Sequence, residues 1–344
     1  MKKLLLIAFA ALTFIACKKE ETSTDLYQNG VFVLNQGLFG SGVGTLDFIE
    51  RGSGVVNKDI YQQNNESQVL GNVLQSMIEF NDYYYFAVNN TAKIVVVNKE
   101  DMKFVASIAI DQPRFFATDG DRLYVSSWGD TGSNGAVYEI INDTELSAPI
   151  ISGNGPEGMV INENKLYVAK GGGYGTDSTL VIIDMETNTE IQSITTGINP
   201  QWIEKTSNGD MYLICNGYSD FMNPENNIPG KLHKIVDDQI VNTIEFLNAI
   251  YSTQQSIAID EDNEVIYYLG SFLVNKTDFD FSDNGNTIAF LKYLTTIAWD
   301  EEEDKLYGTY IPDFTSDAQL NIYENDVQVD SLTVGISPGF IYFN

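Results

Sequence analysis

The chain contains a single histidine, His233, and two cysteines, Cys17 and Cys215. One imidazole cannot build a His-rich metal site, and any Ser-His-Asp arrangement would have to run through that one residue. Two thiols exclude a disulfide framework. Cations are scarce too: 19 Lys and Arg stand against 48 Asp and Glu, a formal charge of −29 over 344 residues. A surface that negative repels phosphate backbones, so nucleic acid is not an expected partner. Apolar residues are not scarce, and at 43% they suffice for a sizeable core and exclude a disordered acidic tail. No stretch after Cys17 sustains a helical period. The length fits two domains or one large all-β domain.

The chain opens with Met1-Lys2-Lys3 and an apolar run from Leu4 to Ile15. That run is too short to span a bilayer and has the proportions of a secretory h-region. It ends in Phe14-Ile15-Ala16-Cys17, which resembles a bacterial lipobox. The resemblance implies a signal peptide over residues 1–16, lipidation at Cys17, a membrane anchor through that lipid, and a tether over residues 17–27. An ordinary signal peptide cut near Ala16 is the alternative. Cleavage there would leave 17 basic residues against 48 acidic ones. The Lys18-Lys19-Glu20-Glu21 cluster that follows resembles the signal that sends Bacteroidota lipoproteins to the outer face of the outer membrane; a solvated linker is the other reading. Cys215, in the strand-like Met211-Tyr212-Leu213-Ile214-Cys215, reads as a buried small hydrophobe rather than a nucleophile.

An internal repeat runs through the rest. Residues 113–125, 156–168 and 200–213 align, each as a short strand, a tight Asp/Asn/Gly turn and a strand of the Leu-Tyr-Val type. Weaker copies begin near Gln75, Gln255 and Thr295. Five steps separate Phe86 from Tyr307, a mean of about 44 residues, which is the period of a four-stranded propeller blade. Pro338–Asn344 matches only the first strand of a repeat. Gly30–Asn35, Thr45–Ile49 and Val55–Tyr61 supply the second, third and fourth. Joined, the two ends complete one blade, and with six internal repeats they predict an all-β, seven-bladed β-propeller over residues 28–344. A capped open solenoid is the structural alternative, and mutually completing ends argue against it.

Propeller topology puts the loops between second and third strands on one face, with the connections that enter each new blade. The first-to-second turns fall on the opposite face, where they are short and acidic, as in Asp119-Gly120-Asp121 and residues 300–304, and read as a solvated surface. The second-to-third loops are longer, and six of seven carry aromatics: Phe39, Trp128, Tyr174, Tyr218 with Phe221, Phe272 with Phe279 and Phe281, and Phe314. Long loops on a rigid scaffold are where function concentrates. Between them a ring is expected from Ser76, Arg114, Glu157, Gln201 with Trp202, Gln255, Thr295 and Gly339. Arg114 and Glu157 occupy equivalent places in neighbouring blades and could simply pair, and the aromatics could simply pack on adjacent loops. Residues 278–286 have the oxygen-rich look of a Ca²⁺ loop without EF-hand spacing; calcium and an ordinary turn both stay open. Lys170–Gly175 lacks the P-loop Lys-Ser/Thr, and His233 falls on an expected strand.

The wording of the repeats resembles the YncE-like propellers found among Bacteroidota surface lipoproteins. Val33–Gly37, Pro113–Phe116, Pro156–Met159, Asn199–Trp202 and Leu213–Gly217 carry the likeness, which extends over roughly residues 28–344. The best-understood members of that group are BtuG-like lipoproteins, which bind cobalamin outside the cell and pass it to a TonB-dependent transporter of the outer membrane. The resemblance implies a non-enzymatic protein that needs no cofactor and carries cobalamin or another corrinoid as its ligand. Trp128, Tyr174, Trp202, Tyr218, Phe272 and Phe314 would then cover the ring or base. Gln36, Gln201, Gln255 and Asn216 would meet its amides, and Arg114 its phosphate. Two other classes remain: a surface propeller that binds protein or glycan, as an adhesin or the partner of another transporter, and a lactonase-like enzyme. The enzyme would need a metal-binding cluster of Glu, Asp and Asn at the mouth, where Glu157 is the one acid expected.

Overall fold

A computed structural model describes residues 26–66, 68–142, 144–250, 254–270, 273–283 and 286–344. The proposed signal peptide, Cys17 and most of the tether lie outside the described residues, as does Phe272. The remainder forms seven antiparallel sheets arranged as a propeller. Blade 1 joins Pro338–Phe343 as inner strand to Gly30–Asn35, Thr45–Glu50 and Val56–Asn57. Blades 2 to 7 follow in chain order, with inner strands Leu74–Phe80, Pro113–Thr118, Pro156–Asn162, Pro200–Lys205, Ile257–Asp260 and Leu294–Asp300. Each inner strand contacts those of the two neighbouring blades, closing a circle around one axis.

Closure is made by backbone hydrogen bonds between the two ends of the described chain. Val31 pairs with Phe343, Phe32 with Tyr342 and Val33 with Ile341, and Gly30 and Asn344 exchange bonds of 2.9 and 3.0 Å. Arg51 of blade 1 then bonds Asp300 of blade 7 at 3.0 Å and the Asn344 carbonyl at 2.8 Å.

The alternation of each strand buries one side chain set against each neighbouring blade. The tyrosine of the Leu-Tyr-Val strands is the clearest case. Tyr124, Tyr167, Tyr212, Tyr267 and Tyr307 are all buried between blades. Several satisfy the hydroxyl on the rim of the next blade: Tyr167 donates to Asp238, and Tyr267 to Asp326 at 3.3 Å. Lys165 and Lys276 reach the same two carboxylates. Some acidic turn residues therefore act as latches between blades.

The structure departs from the sequence reading in two places. Val55–Tyr61 does not form a fourth strand; only Val56–Asn57 pairs, and a short helix, Ile60–Asn64, follows with Asp59 as its N-cap. In blade 6 the third strand is Leu273–Asp278, directly after Val265–Gly270, and the fourth is Asn286–Lys292. Residues 270–286 are thus not one long loop on the mouth face. Phe279 and Phe281 lie in the turn after the third strand, on the opposite face, packed against Tyr212 at 5.7 and 5.9 Å. Asp278 caps that turn by accepting the backbone N–H of Asp280 and Ser282, and Asp283 accepts from Thr277.

Candidate functional site

Six inner strands are entered through the same backbone device. Val73, Gln112, Gly155, Asn199, Tyr293 and Ser337, each immediately before the strand, all have positive φ, between 37° and 62°. This conformation is costly for a β-branched or aromatic residue, so its recurrence marks a position the architecture enforces. The pairing register then shifts within the next residues, skipping Gln75, Arg114, Gln201, Thr295 and Gly339, and in blade 4 Glu157. A bulge releases a side chain from the face alternation and re-aims it. Here it sends the second residue of the strand toward the axis.

What gathers there is a connected polar ring. Arg114 Nε donates to Glu157 Oε2 at 2.8 Å, with both side chains at most 5% exposed. Arg114 Nη1 donates to Gln75 Oε1 at 2.7 Å, and Gln75 Nε2 to Gln254 Oε1 at 3.3 Å. The Trp128 indole N–H donates to Glu157 Oε1 at 3.0 Å, while the Arg114 guanidinium lies 4.4 Å from the Trp128 ring centroid. Gln201 lies close enough to Glu157 to help hold its charge, although Gln201 Nε2 makes no hydrogen bond of normal length. Burial pushes the Glu157 carboxyl above the usual carboxylate range, and Arg114 opposes it. Gly339 completes the circle, because a Cβ there would come within 2.8 Å of both Gln36 Nε2 and Gln254 Oε1.

Below this ring the channel is closed by aromatic side chains. Phe115 and Trp202 meet edge to face at 4.9 Å, and Phe340 lies 6.0 Å from Trp202. The Trp202 indole points down and donates to Glu204 Oε1 at 2.9 Å. Glu204 is half-buried, and desolvation pushes its pKa up to about 7. Above the ring stands Tyr174, 69% exposed, edge to face with Trp128 at 5.5 Å. Its hydroxyl donates to Gln112 at 2.7 Å.

The expected residues therefore fall into three groups. Arg114, Trp128, Tyr174, Gln201 and Gln36 converge on the mouth. Arg114 is already engaged by Glu157 and Gln75, so it presents no free cation to an anion. Trp202 is a buried floor residue, and Gln255 turns away from the mouth to accept the Ile341 N–H at 3.2 Å. Asn216 is buried at the base of the blade 5 loop, whose Tyr218 backbone pairs with Ile228. Phe314 stands on the outer rim. Gln75 and Gln254 were not anticipated. Gln75 occupies the same place in its repeat as Arg114 and Gln201, one residue before Ser76, and Ser76 instead donates to the Arg114 carbonyl at 2.6 Å. That offset was readable from the repeat alignment. Gln254 lies outside any strand and left no pattern.

His233 accepts the Gly197 N–H at 3.1 Å through Nε2 and bonds Thr243 through Nδ1. Burial lowers its pKa to about 4. Cys215 is fully buried, with its thiol pushed up to about 12. Both are framework residues. Among the described residues, no group of three or more His, Cys, Asp or Glu is placed to hold a metal ion.

Fold and site define a closed seven-bladed propeller with a plugged channel and one polar, aromatic-walled mouth. The chain belongs to the family described as domain of unknown function DUF5074, which matches residues 29–328. A search of curated proteins finds no match. Among solved structures, a quinonprotein alcohol dehydrogenase-like protein of Bacteroides thetaiotaomicron is 14% identical with a TM-score of 0.68, over 92% of this chain and 78% of that one. A candidate 6-phosphogluconolactonase of Bacteroides uniformis is 11% identical with a TM-score of 0.65, over 92% of this chain and 100% of that one. The periplasmic gluconolactonase of Pseudomonas aeruginosa is 10% identical with a TM-score of 0.62, over 91% and 99%. At these identities the likeness concerns the fold.

Proposed function

We propose that this propeller is a non-catalytic binding protein that takes a large, amide-bearing and partly apolar ligand at its mouth. Cobalamin or a related corrinoid is the specific ligand, passed on to a TonB-dependent transporter by a protein held at the outer-membrane surface through Cys17. The observation that carries the binding reading is the mouth: the part-exposed carboxamides of Gln36 and Gln254, backed by the buried Gln75 and Gln201, beside the standing Trp128–Tyr174 pair. Carboxamides both donate and accept, which suits a rim of amides, and the aromatic pair suits a ring plane. The single carboxylate of the ring, Glu157, is committed to Arg114 and Trp128. It lacks the acidic company that lactonase chemistry would need.

Calorimetric titration of residues 22–344 with cyanocobalamin tests the reading. Micromolar or tighter binding is expected, weakened about tenfold or more by Tyr174→Ala, an exposed residue whose loss leaves the fold intact. No heat and no thermal stabilisation at micromolar vitamin would refute the corrinoid assignment. Trp202→Ala should lower stability, because that indole is part of the floor.

A further inference from the structure

The two aromatic side chains of the mouth come from different blades, and a single residue joins them. Gln112 lies immediately before the inner strand of blade 3, half-buried, with φ at 42°. Its backbone carbonyl accepts the Trp128 N–H at 3.1 Å. Its side-chain Oε1 accepts the hydroxyl of Tyr174, which stands on the blade 4 loop, at 2.7 Å.

The base of Tyr174 is fixed on blade 3 by backbone contact. A Cβ on Gly132 would stand 2.8 Å from the Tyr174 nitrogen and 2.6 Å from its Cδ2, and one on Gly173 would stand 2.3 Å from the Gly132 carbonyl oxygen. Only glycine lets the two loops approach this closely. The ring above is held less tightly. It is 69% exposed and meets Trp128 edge to face at 5.5 Å, a contact that several tilts of a phenol ring satisfy. The hydroxyl bond to Gln112 supplies the direction.

Trp128 needs no such restraint, because its indole N–H is taken by Glu157 at 3.0 Å and the Arg114 guanidinium lies 4.4 Å from its ring centroid. Tyr174 is also the more open aromatic surface of the pair. Its orientation is therefore the one that matters to an incoming ligand. A neutral hydrogen bond of this kind shifts the balance between side-chain orientations by about threefold to tenfold.

We propose that Gln112 is a positioning residue of the mouth: it acts through Tyr174, holding that ring beside Trp128 so that a face of the ring is offered to an apolar plane. The role in binding rests on the mouth being the site proposed above, while the position of the ring can be read with no ligand present.

The test follows the ring signals of Tyr174 by NMR in the tyrosine-labelled soluble domain, residues 22–344, assigned by their loss in Tyr174→Ala, beside calorimetric titration with cyanocobalamin. Gln112→Leu should move those signals away from the Trp128 ring current. Gln112→Glu, whose carboxylate still accepts the hydroxyl, should leave them near their parent position. A residue that only braced the fold would lower Tm without singling out Tyr174. Gln112→Leu and Tyr174→Phe should each weaken cyanocobalamin about threefold to tenfold, the double variant no more than either, and Gln112→Glu should bind like the parent protein. Tyr174→Phe changes one exposed hydroxyl, so this arm survives if Gln112→Leu folds poorly. Unmoved Tyr174 signals in Gln112→Leu overturn the proposal, and so do losses that add in the double variant. Absence of vitamin binding by the parent protein refutes the corrinoid assignment instead, and the ring signals then decide the role of Gln112.

Discussion

With Arg114 and Glu157 both sealed from water, removing one strands the other charge in a poorly hydrated place. Arg114→Met is expected to cost about 3–5 kcal/mol, measured by urea unfolding, and adding Glu157→Gln should recover most of that loss. Two further groups, the buried His233 and the half-buried Glu204, contribute to the pH response in opposite directions. His233 titrates near 4 in the fold against an ordinary 6.5, so the unfolded chain takes up a proton first and its contribution falls as pH drops from 6.5 to 4. Glu204 runs the other way. Its folded pKa of about 7 lies above the ordinary 4.5, so its contribution is full below 4.5 and is lost as pH rises to 7. Glu204→Gln should therefore match the parent protein at pH 4 and exceed it by about 2–3 kcal/mol at pH 8, read from denaturant midpoints. The sequence marked His233 and Cys215 as framework, because both fall on strand patterns. It gave no hint of Glu204, since an acid on an inner strand looks the same whether it faces water or a plugged channel.

At the scale of the element, the repeated unit is an entry kink, a bulge and a strand. The strand and its turn were legible as apolar alternation bounded by Asp, Asn and Gly. The kink and bulge were not, because residues as different as Val73, Gln112 and Tyr293 adopt the same positive φ. That is why the expected ring slipped by one residue at Ser76 and missed Gln75. Blade 6 misled for a related reason: Phe272, Phe279 and Phe281 in one stretch of Asn and Asp looked like loop, while the strand Leu273–Asp278 alternates too weakly to announce itself. Gly155 is where the kink is least replaceable. Its φ is 37°, and a Cβ would come 2.0 Å from the Gly173 backbone nitrogen, next to Tyr174. Gly155→Ala should lower Tm by several degrees and weaken mouth binding more than Tyr174→Ala alone, because it displaces the loop as well as straining the strand entry.

At the scale of the whole molecule, the blade count was readable because the two ends of the repeat array are fragments of one unit. Which loops stand together was not readable, since that depends on ring order and bulge direction. Deleting residues 338–344 is expected to replace one cooperative melt with a broad, low-temperature transition, followed by calorimetry, as blade 1 loses its inner strand and Arg51 its carbonyl partner. The same closure has a consequence in time. A chain being synthesised has made six blades and three quarters of the seventh while its first strand still waits for Pro338–Phe343. Until residues 338–343 emerge, strand Gly30–Asn35 keeps one edge unpaired, the form most prone to wrong pairing with a neighbour. Native closure therefore waits for strand Pro338–Phe343, and a chain that stalls or is clipped before it should be sorted for disposal with six blades already made.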